Sequence, residues 1–449
     1  MEKANMKFYK LVCLLPLLTA AFGQSNPGSR ISARELPRFF ASIAAGSPTG
    51  ELNFAPAVAY GAGGIDAMSI AVADLNGDGV PDLAVANWCV VGSVCVSGSV
   101  GILLGKGDGT FRAPMTYSSS GNNAHTVEVA DLNGDGKPDL VVTNINSGTV
   151  AVLLGNGNGT FQPAVTYSSG GPTPISVAVA DINNDGKPDL LVANDSYLTN
   201  NSVGVLLGNG DGTFQKALTH SSGGYDSWSV AAADVNGDGK LDAIVVNRCS
   251  DFNCLNRGSV VVLLGNGDGT FRTFAAYSSG AYQADFVAVA DLNNDGKPDL
   301  LVANQCADPR CRQEGTVGVL LGNGDGTFQP VVSYTSGGYW NLSVAVADVN
   351  GDGIPDLLTA NNCATVCQQN TGFPGSVGVL LGNGNGTFNA AMVFGSGGYG
   401  ANSVAVADVN NDGRPDLIVA NCSVNAKGCS SQGKGTIGVL INTSSRSPN

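Results

Sequence analysis

Seven times along its 449 residues the chain gathers short oxygen-bearing side chains around a glycine: "ADLNGDGVPDL" (73–83), then "ADLNGDGKPDL", "ADINNDGKPDL", "ADVNGDGKLDA", "ADLNNDGKPDL", "ADVNGDGIPDL" and "ADVNNDGRPDL". Each loop reads Asp, x, Asn, x, Asp, Gly, x, x, Asp. Hard oxygens at places one, three, five and nine, a backbone carbonyl at place seven and a glycine at place six for the sharp turn can surround one Ca²⁺. The side-chain donors are Asp74, Asn76, Asp78 and Asp82; Asp131, Asn133, Asp135 and Asp139; Asp181, Asn183, Asp185 and Asp189; Asp234, Asn236, Asp238 and Asp242; Asp291, Asn293, Asp295 and Asp299; Asp348, Asn350, Asp352 and Asp356; Asp408, Asn410, Asp412 and Asp416. The first six places follow an EF-hand loop, but no Glu stands at place twelve and apolar strand-like runs flank the loop. Mg²⁺ fits less well, because it prefers an octahedral shell with several waters. A metal-free Asx turn is the alternative. Seven copies with acids at the same three places argue against it, since a turn does not require uncompensated carboxylates. The expectation is one structural Ca²⁺ per loop.

Such loops need strands to hold them. Successive first aspartates lie 57, 50, 53, 57, 57 and 60 residues apart, and the unit from Phe161 to Thr213 contains four apolar runs. "SVAVAD" and "PDLLVAN" flank the acidic loop, "SVGVLLG" follows a variable loop, and "FQPAVTYS" follows the tight turn "GNGDGT". Phe161, Pro163, Val165 and Tyr167 alternate with polar or small residues, the period of a half-buried strand, and no stretch has helical periodicity. Pro56, Pro163 and Pro330 place that fourth run at a sheet edge, where a missing N–H does no harm. Units of four antiparallel strands repeated radially make an all-β propeller. The seventh unit ends at "GTIGVLINTSS" without a fourth strand, while "FAPAVAYGAGG" (54–64) matches "FQPAVTYSSGG" (161–171). The fold expected is therefore a seven-bladed β-propeller over residues 51–443, its last blade closed by the N-terminal strand.

Formal charge is −14, and 21 of the 36 acidic residues are the loop aspartates, so nucleic acid and anionic lipid surfaces are poor partners. Residues 1–23 read as a secretory signal peptide: three lysines, an apolar run too short to span a bilayer, then polar residues. Residues 24–50, with their Ser, Pro and Gly content, read as a spacer and 444–449 as a polar tail; no later segment is apolar for long enough to be a membrane helix. Beyond Cys13 the cysteines fall in close pairs, Cys89 and Cys95, Cys249 and Cys254, Cys306 and Cys311, Cys363 and Cys367, Cys422 and Cys429, read as five local disulfides in an oxidising compartment. A zinc site is the rival reading, but only two histidines and no CxxC occur.

In an antiparallel blade the acidic loops and the "GNGDGT" turns share one face, and the disulfide loops and "SGGY" connections share the other. Trp88, Tyr225, Trp228, Tyr282, Tyr339, Trp340 and Tyr399 fall on or beside this second face, where rigid rings suit binding of a sugar or peptide; filling gaps between blades is the alternative. Asn87, Asn144, Asn194, Asn247, Asn304, Asn361 and Asn421 recur at the end of strand two and read as turn caps. The function expected is a secreted, monomeric, calcium-stabilised module binding a glycan or an extracellular protein. A polysaccharide lyase or hydrolase on the same scaffold is the alternative, with His125 and Glu128 as its best acid–base pair. His220 replaces the recurring tyrosine of strand four and reads as core or edge.

The "DxNxDGxxD" loops with the "GxVGVLLGNGDGTF" runs resemble the FG-GAP or VCBS repeat family, whose relatives include the propellers of integrin α subunits and some fungal lectins. The resemblance covers about residues 51–443. It implies a seven-bladed propeller with calcium in the loop between strands one and two, held by the donors named above; Leu241 replaces a proline at a place that is not a ligand. No integrin-type partner domain or membrane stalk is present, so a receptor function is not implied.

Overall fold

Among the described residues, Val-, Ile- and Ala-rich runs bounded by Gly, Asn and Asp form strands, with a 3-10 turn at Ile145–Ser147. The structure, a computed structural model, describes residues 52–91, 95, 97–196, 201–251, 256–365, 367, 374–423 and 433–444. The signal segment, the spacer and the tail beyond Ser444 lie outside these residues, as do Cys254 and Cys429.

The strands pair into four-stranded antiparallel units in chain order. Unit two is Ala124–Ala130, Asp139–Asn144, Thr149–Leu153 and Val165–Ser168, each hydrogen-bonded to the next, and the other units repeat it. Two strands of 16 residues, Val58–Ala73 and Met392–Ala407, each serve two units. In the first, Val58 to Gly61 pair with Val439 to Thr436 of the last unit, while Ile65 to Ala73 pair with Cys89 to Asp82 of the first. The N-terminal strand thus completes the C-terminal sheet, as its sequence match predicts. In these two places the "GG" connection is strand rather than loop.

The fourth strands are shorter than their sequence runs. In unit two only Val165–Ser168 is ladder, and Phe161 holds on by an isolated bridge to Gly155. Pro163, between them, has no N–H to give. Units three and six, reading "FQKALTHS" and "FNAAMVFG" without proline, show the same gap before Leu218 and Met392, while unit four, reading "FRTFAAYS", runs continuously from Phe271 to Ser278.

The core lies between units. Both faces of each sheet are apolar, and one buried cluster joins each unit to the next: Ala71, Ile102 and Leu75 of unit one meet Val127, Leu140 and Phe161 of unit two, and Ile70, Leu83 and Leu103 of unit one meet Ile418, Ile437 and Val439 of the last. Toward the rim an aromatic pair repeats at each boundary. Tyr60 meets Phe111, Tyr117 meets Phe161, Tyr167 meets Phe214, His220 meets Phe271, Tyr277 meets Phe328, Tyr334 meets Phe388 and Phe54 meets Phe394, edge to face with centroids 5.1–5.6 Å apart. Each contributes about 0.5–1.5 kcal/mol beyond its area burial. His220 therefore takes a tyrosine's place in this girdle, as its position in the repeat predicts.

Candidate metal centre

The acidic loop is positioned by what surrounds it. Its second residue (Leu75, Leu132, Ile182, Val235, Leu292, Val349 or Val409) is 1–2% exposed and anchors in the cluster between units. Place six requires a left-handed backbone, with Gly79 at φ +82° and open space where a Cβ would stand. Place four is left-handed as well, which explains why only Gly or Asn occurs there: Gly77 and Asn184 sit at φ +77° and +58°.

Within unit one, Asp74 Oδ1 accepts the N–H of Gly77 (2.7 Å) and Asp78 (3.1 Å), and Oδ2 that of Gly79 (2.8 Å). Asn76 Oδ1 accepts from Asp78 N–H, and Asp78 Oδ1 from Val80 N–H. Asp82, fully buried, is a hub: Oδ2 accepts Leu75 N–H at 3.0 Å and Oδ1 accepts Gly105 N–H at 2.7 Å, tying the acidic loop to the turn between strands three and four. The same two bonds recur at Asp139, Asp189, Asp242, Asp299, Asp356 and Asp416. Both loops therefore lie on one face, as the topology predicts.

The same turn also reaches back to the preceding unit. Gly159 N–H donates to Leu75 O, Gly212 to Leu132 O, Gly326 to Val235 O and Gly109 to Val409 O. In the last unit Asn442 does this work with its side chain, donating Nδ2 to Val349 O at 2.8 Å. The acidic loops are thus part of the seam between units.

These carboxylates repel one another. Burial, and secondarily the nearby Asp78 and Asp74, push Asp82 up to about 6. Burial and neighbouring aspartates likewise push Asp189, Asp242, Asp299 and Asp416 up to about 6 and Asp356 to about 7. Three carboxylates, an amide oxygen and a backbone carbonyl form an all-oxygen donor set of the kind and number that suit Ca²⁺. The side chains as placed are turned to backbone N–H groups, and among the described residues no three His, Cys, Asp or Glu converge on a common point.

On the opposite face the predicted aromatic residues divide. Trp228 is 1% exposed, packed with Met68, Ile145 and Ile175 and covered by the Arg248 guanidinium 3.4 Å from its ring centroid. Trp88 is half-buried against the same cluster. Tyr225 is 40% exposed, while Tyr282, Tyr339, Trp340 and Tyr399 are partly so. Tyr399 with Pro374, Gly397 and Gly398 lines a shallow depression. Cys89–Cys95, Cys306–Cys311 and Cys363–Cys367 are bonded as predicted; the other two pairs each have a member outside the described residues. The recurring asparagines are clamps: Nδ2 of Asn144, Asn194 and Asn304 donates to Ser119 O, Ser169 O and Ser279 O at 3.0–3.1 Å, fastening the connection from the preceding unit. His125 is sealed in, with Nδ1 2.7 Å from Ile175 O, and Glu128 is 5% exposed.

Sequence reasoning passed over one cluster here. Arg248 forms an ion pair with Asp285, which is fully buried and also accepts Gln305 Nε2 at 2.7 Å. Its signal was present: Asp285 lies six residues before its loop aspartate, where other units place Met68, His125, Ile175, Trp228, Leu342 and Asn402.

The FG-GAP-like repeat family matches residues 90–142, 131–192, 183–245, 249–302, 307–359 and 366–419, and the FG-GAP repeat family matches 67–87, 285–320, 340–380 and 400–440. Phosphatidylinositol-glycan-specific phospholipase D of Homo sapiens is 28% identical over 152 residues, which are 29% of this chain and 18% of that protein. Its Bos taurus counterpart is 30% identical over 149 residues, with the same shares. The chain therefore matches under a fifth of the length of these curated relatives. Among solved structures, an Agrocybe aegerita lectin that recognises non-reducing terminal N-acetylglucosamine is 19% identical, covering 87% of this chain and 96% of its own, with a TM-score of 0.47. The V. cholerae biofilm matrix protein is 14% identical, covering 88% and 89%, with a TM-score of 0.43. Among the described residues no helix is long and apolar enough to cross a membrane.

Proposed function

Because the chain belongs to the FG-GAP repeat family, we propose that it is a secreted seven-bladed β-propeller whose acidic loops hold structural calcium and whose opposite face recognises a glycan or an extracellular protein. One observation carries the reading: in every unit a buried place-nine aspartate joins the acidic loop to the neighbouring turn while two further carboxylates of that loop stand close to it. A divalent cation held by places one, three, five and nine and the place-seven carbonyl would supply charge neutralisation there. It would thereby fix the seam to the next unit. Closure of the ring is supported by the buried cluster and the Tyr60–Phe111 pair that join the last unit to the first.

Binding on the second face is supported by the exposed Tyr225, the partly exposed Tyr282, Tyr339, Trp340 and Tyr399, and bridged loops that hold their shape. The disulfides accord with an oxidising compartment. The reading is of a binding monomer rather than an enzyme, because the one acid–base pair singled out, His125 and Glu128, is closed to substrate. A glycan array probed with labelled full-length chain, with calcium and with chelator, tests the binding reading. Selective binding lost on Tyr339→Ala supports it. Turnover of a polysaccharide without retention on the array would replace it with the enzymatic alternative.

A further inference from the structure

The acidic loops are not equivalent, because some of them carry their own cation. Place seven holds Lys137, Lys187, Lys240, Lys297 and Arg414 in units two to five and seven, but Val80 and Ile354 in units one and six. Lys137 Nζ lies 3.1 Å from Asp135 Oδ2, Lys187 and Lys297 Nζ lie 3.6 Å from Oδ2 of Asp185 and Asp295, and Arg414 Nη2 lies 2.8 Å from Asp412 Oδ2. In each case the partner is the place-five aspartate. Its other oxygen is already taken by a backbone donor, as where Lys137 N–H meets Asp135 Oδ1 at 3.0 Å. Oδ2 is thus the oxygen left to face an ion, and an internal cation sits on it.

Units one and six lack this occupant. Asp78 Oδ2 has no hydrogen-bond or ion-pair partner among the described residues, and Asp352 Oδ2 accepts only from the neutral Asn350 Nδ2, at 2.9 Å. The difference is one of charge, not of path: Val80 lies over Gly105 and Gly107 as the stem of Lys187 lies over Gly210. Lys240 follows the same path over Gly267 without closing to within ion-pair distance of Asp238, which makes unit four intermediate.

We propose that the loops at 74–82 and 348–356 are the high-affinity divalent-cation sites, and that in units two, three, five and seven the place-seven side chain competes with the ion for the place-five carboxylate, unit four lying between. This rests on the calcium reading above. Affinity in such loops follows ligand charge count. One positive charge about 5 Å from a divalent ion, at solvent-like dielectric and physiological salt, weakens binding by about fivefold. Units one and six are also the two that share a long strand with the closing unit, so the most ion-dependent loops flank the closure.

The test is calcium titration of the chelator-stripped full chain, with bound ions counted by native mass spectrometry. Two ions should load first, about fivefold ahead of those in units two, three, five and seven. Lys187→Met, at a side chain 45% exposed and so harmless to folding, should create a third early site, and Val80→Lys should leave one. Uniform loading of all seven loops, unmoved by Lys187→Met, overturns this inference and leaves the calcium reading standing. Absence of any bound ion overturns both.

Discussion

Glu128 stands where the six other units place Ala71, Ala178, Ala231, Ala288, Ala345 and Ala405, so Glu128→Ala should stabilise the protein. The carboxyl is 5% exposed on the first strand of unit two, and its Oε1 has no hydrogen-bond partner. Burying such a group unsatisfied costs about 1–3 kcal/mol. Removing it leaves a void of roughly 50 Å³, worth about 1 kcal/mol at 24 cal/mol per Å³, so a net gain of about 1 kcal/mol is expected near pH 5. The gain should then grow with pH. Burial alone holds the Glu128 carboxyl well above its usual range, so the folded chain keeps a proton that the unfolded chain releases above about 4.5. Its folded-state contribution is complete below that pH and is lost as pH rises, at about 1.4 kcal/mol per unit until the folded value is passed. Urea unfolding of wild type, Glu128→Ala and Glu128→Gln at pH 5, 6 and 7 in fixed calcium measures the gap. A variant less stable than wild type at pH 7, or a gap that does not widen with pH, would refute this reasoning.

Other outcomes follow from single contacts. Phe54→Ala removes a ring 6% exposed that meets Phe394 of unit six at 5.1 Å, and should cost about 3–5 kcal/mol in urea unfolding; wild-type stability would contradict the place of the N-terminal strand in the last unit. Asn304→Ala loses the clamps to Ser279 O and Val302 O and should cost about 1–3 kcal/mol, read as a lower urea midpoint at unchanged m-value. Arg248→Met strands the buried Asp285 and should cost about 3–5 kcal/mol, with most of it recovered in the Arg248→Met, Asp285→Leu double variant.

Much of the fold was legible because repetition displays its own logic. The four apolar runs per unit, the N-terminal copy of strand four and the assignment of loops to faces follow from residue types at recurring places, whereas the recurring asparagines, read as turn caps, instead clamp the connection from the preceding unit. The fourth strands came out shorter in units with Pro163 or its equivalents and also in units three and six, which have no proline there, so alternation alone overstates the ladder and proline does not explain it everywhere. Burial of Trp228 was not legible: an aromatic residue near the start of a strand looks the same whether it faces solvent or lies under Arg248. The place-seven lysines were visible as letters, but their meaning needed the distance from Nζ to the place-five carboxylate. Where unit two departs from the repeat at Glu128, the sequence marks an exception that only its buried, unpartnered setting turns into a stability argument.

The central claim is that divalent cations on the acidic loops hold neighbouring units together. Scanning calorimetry of the full chain, stripped by chelator and then resupplied with calcium, tests it most directly. Each loop filled at ten times its dissociation constant should add about 1.4 kcal/mol, so several loops together should raise Tm by many degrees. An unmoved Tm, with no calcium retained by the purified chain, would contradict the account.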